Sequence, residues 1–258
     1  MQPGIDLILT TPPDLLPQAR EYPLTIAHMA YRLGGGPHLY RSSRPTPLRG
    51  GLMALDDRGF DGRGDPSAFC REVLQECAAR QFTGVLCDFE GHGIPALAAA
   101  AERLSLLCAK KGLTCYVPEA LGRRVKNARV LVSTALSGGS LRQRLEEAAQ
   151  RFGSDRVVPA VERVSMDFYL PSPTGQGVEL SREELKQRMA ERAPSVFFSG
   201  DLCAHYFTYM SRQSGAHFVL FDDAASIRKK LNMARKLGFP AAVLAYPQVD
   251  DLLPAILG

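Results

Sequence analysis

The sequence predicts an α/β fold, a (β/α)8 TIM barrel with a small hairpin before the last helix. Strand-like and helix-like stretches alternate almost throughout the 258 residues, and helices between strands are typical of parallel pairing with crossovers. A chain of about 250 residues is the usual size of one such barrel. The sequence contains no linker that would separate two units. We therefore expect residues 1–258 to form a single barrel domain.

A doubly wound open sheet is the alternative fold for the same alternation. In the dinucleotide-binding form of that fold, a Gly-rich loop of defined spacing follows the first strand. The run Gly34-Gly35-Gly36 lacks that spacing and is followed by Pro37. The sequence thus favours the barrel, and we expect no cofactor.

The first half of the chain predicts the early strands and helices of the barrel. Residues 1–25 form either the first strand, centred on 5–10, or an N-terminal arm. At the start of the first long helix, Asp65 is a capping residue and Pro66 suits the first turn. Apolar periodicity predicts strands over 24–31, 51–56 and 82–90, and helices over 65–81 and 95–111.

The second half continues the alternation and adds the hairpin. Ser140 and Ser181 stand where helix caps are expected, and Ser181 has Glu184 three residues later, which is a capping box. The segment 165–171 looks irregular, and 173–177 looks like a loop. The patterns predict strands over 113–118, 128–134, 156–164, 195–198 and 241–246, helices over 140–152 and 223–237, a further helix that begins at 181, and a hairpin over 205–221.

Composition excludes several partners. The formal net charge is only +4, and no basic stripe with interleaved aromatic residues is present, so nucleic acid is not expected as a partner. No apolar run approaches the roughly 20 residues that a spanning helix needs, so no membrane segment is expected. The N-terminus lacks the basic start and apolar core of a signal peptide, and we expect a cytoplasmic protein. The oligomeric state stays open.

The six cysteines predict buried free thiols in a reducing compartment. Most of them lie inside apolar runs, and no CxxC pair or Cys/His cluster has the spacing of a zinc site. We expect no metal. They stand at positions 70, 77, 87, 108, 115 and 203.

A pair of carboxylates at a strand end is the most informative feature. Asp88 and Glu90 are two residues apart at the end of an apolar run, so in a strand both side chains point the same way. Like charge and burial can raise one pKa and leave a protonated acid beside an ionised partner. That arrangement suits protonation of a leaving group, although solvation or pairing with an arginine explains the same two residues.

These residues resemble a known family. The run Gly84-Val85-Leu86-Cys87-Asp88-Phe89-Glu90 is similar to the strand-4 motif of glycoside hydrolase family 18, the chitinase-like barrels, and most of all to their spore-cortex peptidoglycan glucosaminidases. A second match joins an extended segment ending in Phe221-Asp222-Asp223 to a helix with Ser226-Ile227 and Lys230. The resemblance covers the chain from about residue 50 onward and implies a TIM barrel that binds carbohydrate.

The resemblance implies roles for three residues. Glu90 would be the general acid that protonates the glycosidic oxygen. Asp88 would orient the substrate's own N-acetyl group, which attacks the anomeric carbon in the substrate-assisted retaining route of this family. Tyr246 would take the place of the tryptophan on which the sugar stacks. The expected substrate is a β-linked glycan that contains N-acetylglucosamine.

Two departures from the family pattern motivate an alternative function. The first Asp of the family's motif falls on Leu86, and Val132-Ser133-Thr134-Ala135 stands where a strand-6 tyrosine is expected. Tyr169 or Tyr116 would have to replace that tyrosine from a neighbouring strand. The alternative is a catalytically silent barrel that binds a glycan or a protein partner.

Further polar residues near strand ends are candidates for substrate binding, because barrel sites gather at the carboxyl ends of the strands. Each has a local structural role, such as an ion pair or a turn, as its alternative. A Ser-His-Asp site is not expected, since the sequence contains no nucleophile elbow. The candidates are Asp56, Glu119, Glu162, Tyr169, Tyr246 and His92.

Overall fold

A closed barrel of eight parallel strands forms the core of the protein. The computed structural model describes residues 4–42, 48–91, 93–171 and 175–258. The barrel strands, labelled by their order among all strands of the chain, are β1 (Asp6–Thr11), β2 (Thr25–Gly34), β4 (Leu52–Asp56), β5 (Gly84–Asp88), β6 (Thr114–Pro118), β7 (Arg129–Ser133), β8 (Val157–Val161) and β14 (Ala241–Ala245). Strand β3 (His38–Arg41) pairs antiparallel with β2 as a short hairpin at the rim.

Strand pairing follows chain order and closes on itself. Each strand pairs in parallel with the next, and β1 lies between β14 and β2. The predicted TIM barrel is therefore confirmed. Residues 6–11 are its first strand and not an arm, because both edges of β1 are paired in the sheet.

Helices cover the barrel, and two of the long ones begin at the predicted capping serines. The predicted Asp65 cap is wrong: the helix that follows it begins at Ser67 with Pro66 as its N-cap, and Asp65 Oδ1 accepts from the Ser67 N–H at 3.1 Å in the preceding turn. Ser140 Oγ accepts from the Gln143 N–H, and Ser181 and Glu184 form the complete capping box. Asp223 caps the last long helix in the same way, with Ser226. The helices are α1 (Leu16–Ala19), α2 (Ser67–Arg80), α3 (Pro95–Lys110), α4 (Leu141–Phe152), α5 (Arg182–Arg192), α6 (Ala224–Lys236), α7 (Tyr246–Val249) and α8 (Leu253–Leu257), with a 3₁₀ turn at Glu119–Leu121.

Alternation along the strands divides the core into two shells. The inward side chains pack inside the barrel as one cluster that includes Ala54, Leu86, Tyr116, Val158 and Val243. Their sequence neighbours pack outward against the helices in a larger cluster. Because side chains alternate with a period of two, residues two positions beyond these inward ones face the mouth at the carboxyl ends of the strands.

A second, antiparallel sheet interrupts the last repeat between β8 and α6. Its strand order is β10-β9-β13-β12-β11, and the predicted hairpin is its centre. Segment 165–171 was expected to be irregular, but it forms strand β9, since Met166, Phe168 and Leu170 alternate with polar residues as a strand face does. The strands are β9 (Ser165–Leu170), β10 (Val178–Glu179), β11 (Phe197–Ser199), β12 (Ala204–Ser211) and β13 (Gly215–Phe221).

A buried ion pair joins the second sheet to the barrel. Lys230 Nζ of α6 donates to Asp222 Oδ2 at the end of β13, at 2.6 Å, and both side chains are 1% exposed or less. Asp222 also accepts from the Val164 N–H at 2.9 Å. The carboxylate thus holds together the start of the insertion, its last strand and the helix that follows.

Across the described ranges, no helix is both long and apolar enough to cross a membrane.

Candidate active site

Asp88 and Asp56 end neighbouring strands and stand side by side at the mouth. Asp88 follows the inward residue Leu86 by two positions, and Asp56 follows Ala54 in the same way. The two aspartates are register partners across β4 and β5. Glu90 lies just beyond the strand end and is exposed. The structure therefore brings the predicted carboxylates Asp88, Glu90 and Asp56 into one cluster.

Asp57 shapes the loop that carries Glu90, a role that the sequence reasoning missed. Its Oδ1 accepts from the Glu90 N–H at 3.0 Å, and its Oδ2 accepts from the Gly91 N–H at 2.9 Å. A Cβ at Gly91 would lie 2.8 Å from Asp57 Oδ2, so glycine permits this close approach. The Asp56-Asp57 doublet was the available signal, but only the pairing of β4 with β5 connects it to Glu90.

Arg58 supplies the positive charge nearest to the cluster. Its Nη2 donates to Asp56 Oδ2 at 2.7 Å, and its backbone N–H donates to Asp56 Oδ1 at 3.0 Å. The hydrogen bond to Asp56, with the nearby charges of Glu90 and Asp88, raises the pKa of Arg58. Asp56 is therefore an ion-paired rim residue, and Asp88 and Glu90 keep the central place.

The surroundings of Asp88 favour its protonated form. Protein atoms around the carboxyl remove part of its hydration and raise its pKa, and the negative charges of Glu90, Asp56 and Asp57 raise it further. Arg58 opposes this shift. Asp88 is solvent-exposed at the strand end, and a carboxyl whose pKa is raised beside a second carboxylate can, when it is protonated, donate a hydrogen bond to a substrate.

Of two other candidates, Glu162 belongs to the mouth and His92 is not among the residues that the structure describes. Glu162 is two positions beyond Ala160, the register partner of Ser133 and Val243, so it continues the inward-facing set on the far side of the barrel.

Tyr246 is not brought to the mouth. It is the first residue of α7, is 5% exposed and packs in the outer cluster between barrel and helices. Burial first, and then the nearby Tyr22, Asp250 and Glu21, raises its pKa. The inward position at the end of β14 belongs to Ala245, because alternation turns the next residue outward.

Glu119 and Tyr169 also point away from the carboxylate cluster. Glu119 accepts from Arg144 at 2.5 Å and from Arg151 at 3.3 Å, which fixes α4 on the outside of the barrel. Tyr169 is 54% exposed on β9, with its ring edge-on to His217. On that strand Phe168 occupies the opposite face and lines the groove described below.

Tyr116 does not take the place of the tyrosine that the family pattern has on strand 6. That side chain is buried in the inner cluster, and its hydroxyl accepts from Arg129 Nη1 at 3.2 Å. Arg129 begins β7, so the hydroxyl is held at the amino end of the barrel, away from the mouth. The corresponding position at the mouth is Ser133, whose Oγ accepts from the Ala135 N–H at 3.1 Å.

Two cavities flank the mouth. A polar cavity of about 500 Å³ reaches from Asp56 and Arg58 to Arg32 and Arg41 on β2 and β3. An apolar groove of about 390 Å³ lies on the other side, between the loop after β7 and the second sheet. It is lined by Ala135, Leu136, Ser137, Val164, Met166, Phe168, Gly175, Gln176, Gly177 and Leu220.

Within the described ranges, His, Cys, Asp and Glu side chains form no group of three that could hold a metal ion. The thiols of all six cysteines are free and buried, and burial raises the pKa of Cys70 to about 11 and that of Cys77 to about 12. Cys70 and Cys77 pack in the outer cluster, away from the mouth.

Comparisons with known proteins identify the fold. No protein-family model matches the sequence, and the search of curated proteins finds no relative. Among solved structures, a chitinase from Chromobacterium violaceum has 15% identity and a TM-score of 0.72, with 98% of each chain covered.

Two further structures share the barrel. The spore cortex-lytic enzyme SleL from Bacillus cereus has 15% identity and a TM-score of 0.69, covering 100% of this chain and 75% of its own. A GH18 chitinase from Cycas revoluta, solved in complex with (GlcNAc)3, has 13% identity and a TM-score of 0.64, covering 97% of this chain and 98% of its own. The protein therefore has the barrel fold of chitinases and spore cortex-lytic enzymes, as its resemblance to family 18 predicts.

Proposed function

We propose that the protein is a glycoside hydrolase that cleaves a β-linked glycan containing N-acetylglucosamine. One observation carries the proposal: Asp88 and Glu90 lie together at the open end of the barrel, and Asp57 holds the backbone N–H groups of Glu90 and Gly91. The fold is shared with a chitinase solved in complex with (GlcNAc)3. A cytoplasmic location remains part of this proposal.

In the proposed reaction Glu90 is the general acid. It gives its proton to the glycosidic oxygen while the substrate's acetamido oxygen attacks the anomeric carbon from the other side. Glu90 then removes a proton from the water that opens the cyclic intermediate, so the anomeric configuration is retained. The exposure of Glu90 beyond the strand end leaves it accessible to a leaving group.

Asp88 would position the acetamido group. Its carboxylate can accept a hydrogen bond from the substrate N–H, and its raised pKa makes protonation of this carboxyl easier beside the neighbouring carboxylates. Asp57 contributes indirectly, because two backbone N–H groups on its carboxylate fix the direction of the Glu90 loop. Glu162 is available for hydroxyl groups of the sugar on the other side of the mouth.

The two cavities suggest where the rest of a glycan would lie. The groove beside β7 offers the apolar side chains of Val164, Met166 and Phe168 to the apolar faces of sugar rings or N-acetyl methyl groups. The cavity beside β2 contributes guanidinium groups and would suit anionic substituents. A chain of several sugars is therefore a better fit than a single sugar.

The test compares Glu90→Gln with the wild type on chitin oligomers and on peptidoglycan glycan strands. We expect hydrolysis to fall by on the order of 10²–10⁴-fold, because a general acid contributes about that much. Binding of an uncleaved oligomer, measured by the shift in unfolding temperature, should be retained. Glu179→Gln, an exposed glutamate on β10, is the control and should leave hydrolysis unchanged.

The two departures from the family pattern give the alternative of a silent glycan-binding or protein-binding barrel. Leu86 is buried beneath Asp88, and the run Val132-Ser133-Thr134-Ala135 contains no tyrosine. If wild type and Glu90→Gln bind the oligomer equally and neither releases any product, the barrel binds glycan without cleaving it. If neither binds nor cleaves any tested glycan, the hydrolase proposal is wrong.

A further inference from the structure

Three residues of the second sheet form a hydrogen-bonded chain of serine, histidine and aspartate. Ser214 Oγ lies 2.7 Å from His217 Nε2. On the other side of the ring, His217 Nδ1 lies 3.0 Å from Asp167 Oδ1 and 3.1 Å from Asp167 Oδ2. This is the order of contacts through which a serine hydroxyl is activated by a histidine that a carboxylate orients.

The turn between β12 and β13 brings the serine to the histidine. Ser211 Oγ accepts from the N–H groups of Gln213 and Ser214, both at 3.3 Å, and Gly215 follows with a φ of 85°. A positive φ at this position is readily adopted by glycine. The tight turn leaves Ser214 exposed while its Oγ faces the half-buried ring of His217.

Asp167 is well placed to set the tautomer of the histidine. The aspartate is 6% exposed and also accepts from Arg188 Nη1 and from the Tyr209 hydroxyl. A carboxylate at Nδ1 favours the proton on that nitrogen and leaves Nε2 as the acceptor for Ser214. The ring itself is held between Tyr209, stacked at 4.5 Å, and Tyr169, edge-on at 5.9 Å.

Burial and two nearby arginines favour the neutral form of the ring, against the attraction of the Asp167 carboxylate at 3.0 Å from Nδ1. Burial, followed by the positive charges of Arg188 and Arg192, lowers the pKa of His217. A neutral imidazole at pH 7 is the form that accepts a proton from serine.

We propose that Ser214, His217 and Asp167 form a second reactive site, one that takes the acyl group of a carboxylic ester. Ser214 Oγ attacks the carbonyl carbon as its proton passes to His217 Nε2. The bond to the alcohol oxygen then breaks, and the alcohol leaves with that proton. Water, deprotonated by His217, releases the acyl group as a carboxylic acid and restores the serine.

This site is separate from the carboxylate cluster. Ser214 and His217 belong to the second sheet, on the face of Asp167 and Tyr169, whereas the groove at the mouth lies on the face of Met166 and Phe168. The acyl transfer therefore does not depend on the proposed hydrolysis of glycans, and each can fail without the other.

The experiment treats the full chain with a fluorophosphonate probe and with p-nitrophenyl acetate. We expect a single adduct on Ser214, found by peptide mass mapping, and ester hydrolysis that is lost in Ser214→Ala. His217→Gln should slow labelling by on the order of 10²-fold or more, since general-base catalysis contributes at least that much. Glu90→Gln should label at the wild-type rate, and Ser154→Ala, at another exposed serine, is the matched control.

The rate of labelling should also rise with pH through the lowered pKa of His217 and then level off. Circular dichroism of each variant verifies that the hairpin still folds. An adduct spread over several exposed serines would overturn the proposal. So would a Ser214 adduct that forms equally fast in folded His217→Gln, because the contacts would then only stabilise the turn.

Discussion

Asp88 combines a cost to stability with a proposed benefit to catalysis. Its side chain faces the mouth next to three other carboxylates, and its pKa is raised by loss of hydration and by their charge. Active sites commonly keep such unfavourable charges because the chemistry needs them. The same residue therefore offers separate measurements of stability and of activity.

Asp88→Asn is expected to raise the stability of the protein at pH 7 and to lower its activity. A carboxyl whose pKa is raised on folding binds more protons when folded, so its effect on stability becomes unfavourable as pH rises through the raised value. Thermal unfolding from pH 4 to pH 8 should show a gain for the variant that grows with pH. Asp201→Asn, at an exposed aspartate, serves as the control.

A lower unfolding temperature for Asp88→Asn at pH 7, or a difference that is the same at every pH, would contradict this reading of the site. Loss of hydrolysis together with greater stability would instead separate a catalytic Asp88 from one that serves the fold.

At the scale of elements, the junction of β13 and α6 depends on one buried charge pair. Lys230→Met removes the only cation that the described contacts place on Asp222 and leaves its carboxylate without a counter charge. Breaking such a pair typically costs about 3–5 kcal/mol. We expect a loss of that size in the free energy of unfolding, measured with urea at pH 7.

Arg228→Met, at an exposed position two residues before Lys230, is the matched control and should change stability by less than about 0.5 kcal/mol. A loss below about 1 kcal/mol for Lys230→Met would mean that water or a relaxed Asp222 compensates the charge. In that case the pair would not be the anchor of the second sheet.

The barrel elements could be predicted from sequence, whereas the second sheet could be predicted only in part. Strands such as β5 and β14 are buried on both faces and read as apolar runs between caps and glycines. Strand β10 has two residues and exists only through its pairing with β9. Such pairing depends on contacts between residues that are distant in sequence, so no local sequence pattern predicts it.

The same distinction applies to the site. Asp88 and Glu90 could be predicted because two carboxylates at a strand end are informative by themselves. Glu119 could not be assigned correctly, since its arginine partners come from α4, 25 and 32 residues further along. The contacts that join Ser214, His217 and Asp167 could not be predicted for a similar reason, because Asp167 reaches His217 only across the strand pair β9 and β13.

For the molecule as a whole, the second sheet turns an open barrel mouth into a groove. One wall of the groove is the loop after β7 and the other is the face of Met166 and Phe168. This wall belongs to the second sheet, whereas the proposed acid follows β5. It would therefore contact sugars of the substrate that are distant from the cleaved bond. Binding energy from such remote contacts contributes to the rate when it is realised in the transition state.

Ala135→Trp is expected to block this groove without removing any buried side chain, since Ala135 is exposed. Hydrolysis of long glycans should then slow by a factor of about 10 or more, the value of roughly 1.4 kcal/mol in transition-state binding. A short aryl glycoside should be cleaved at the wild-type rate. Steady-state kinetics on both substrates gives the comparison.

The control for the groove is Lys126→Trp, at an exposed site just before the amino end of β7. If Ala135→Trp affects the aryl glycoside as much as the long glycan, the change has disturbed the carboxylate cluster. If it affects neither, the substrate takes another path over the mouth.

The position of β1 between β2 and β14 also has a consequence for biosynthesis. Because Asp6 lies opposite Ala241, one edge of β1 has no partner until residues 241–245 have left the ribosome. An open strand edge invites pairing with other chains, so the nascent protein is most exposed to aggregation before its last strand emerges. The same adjacency permits circular permutation: joining the two ends and opening a surface loop elsewhere would preserve every strand pair and let β1 and β14 be made one after the other.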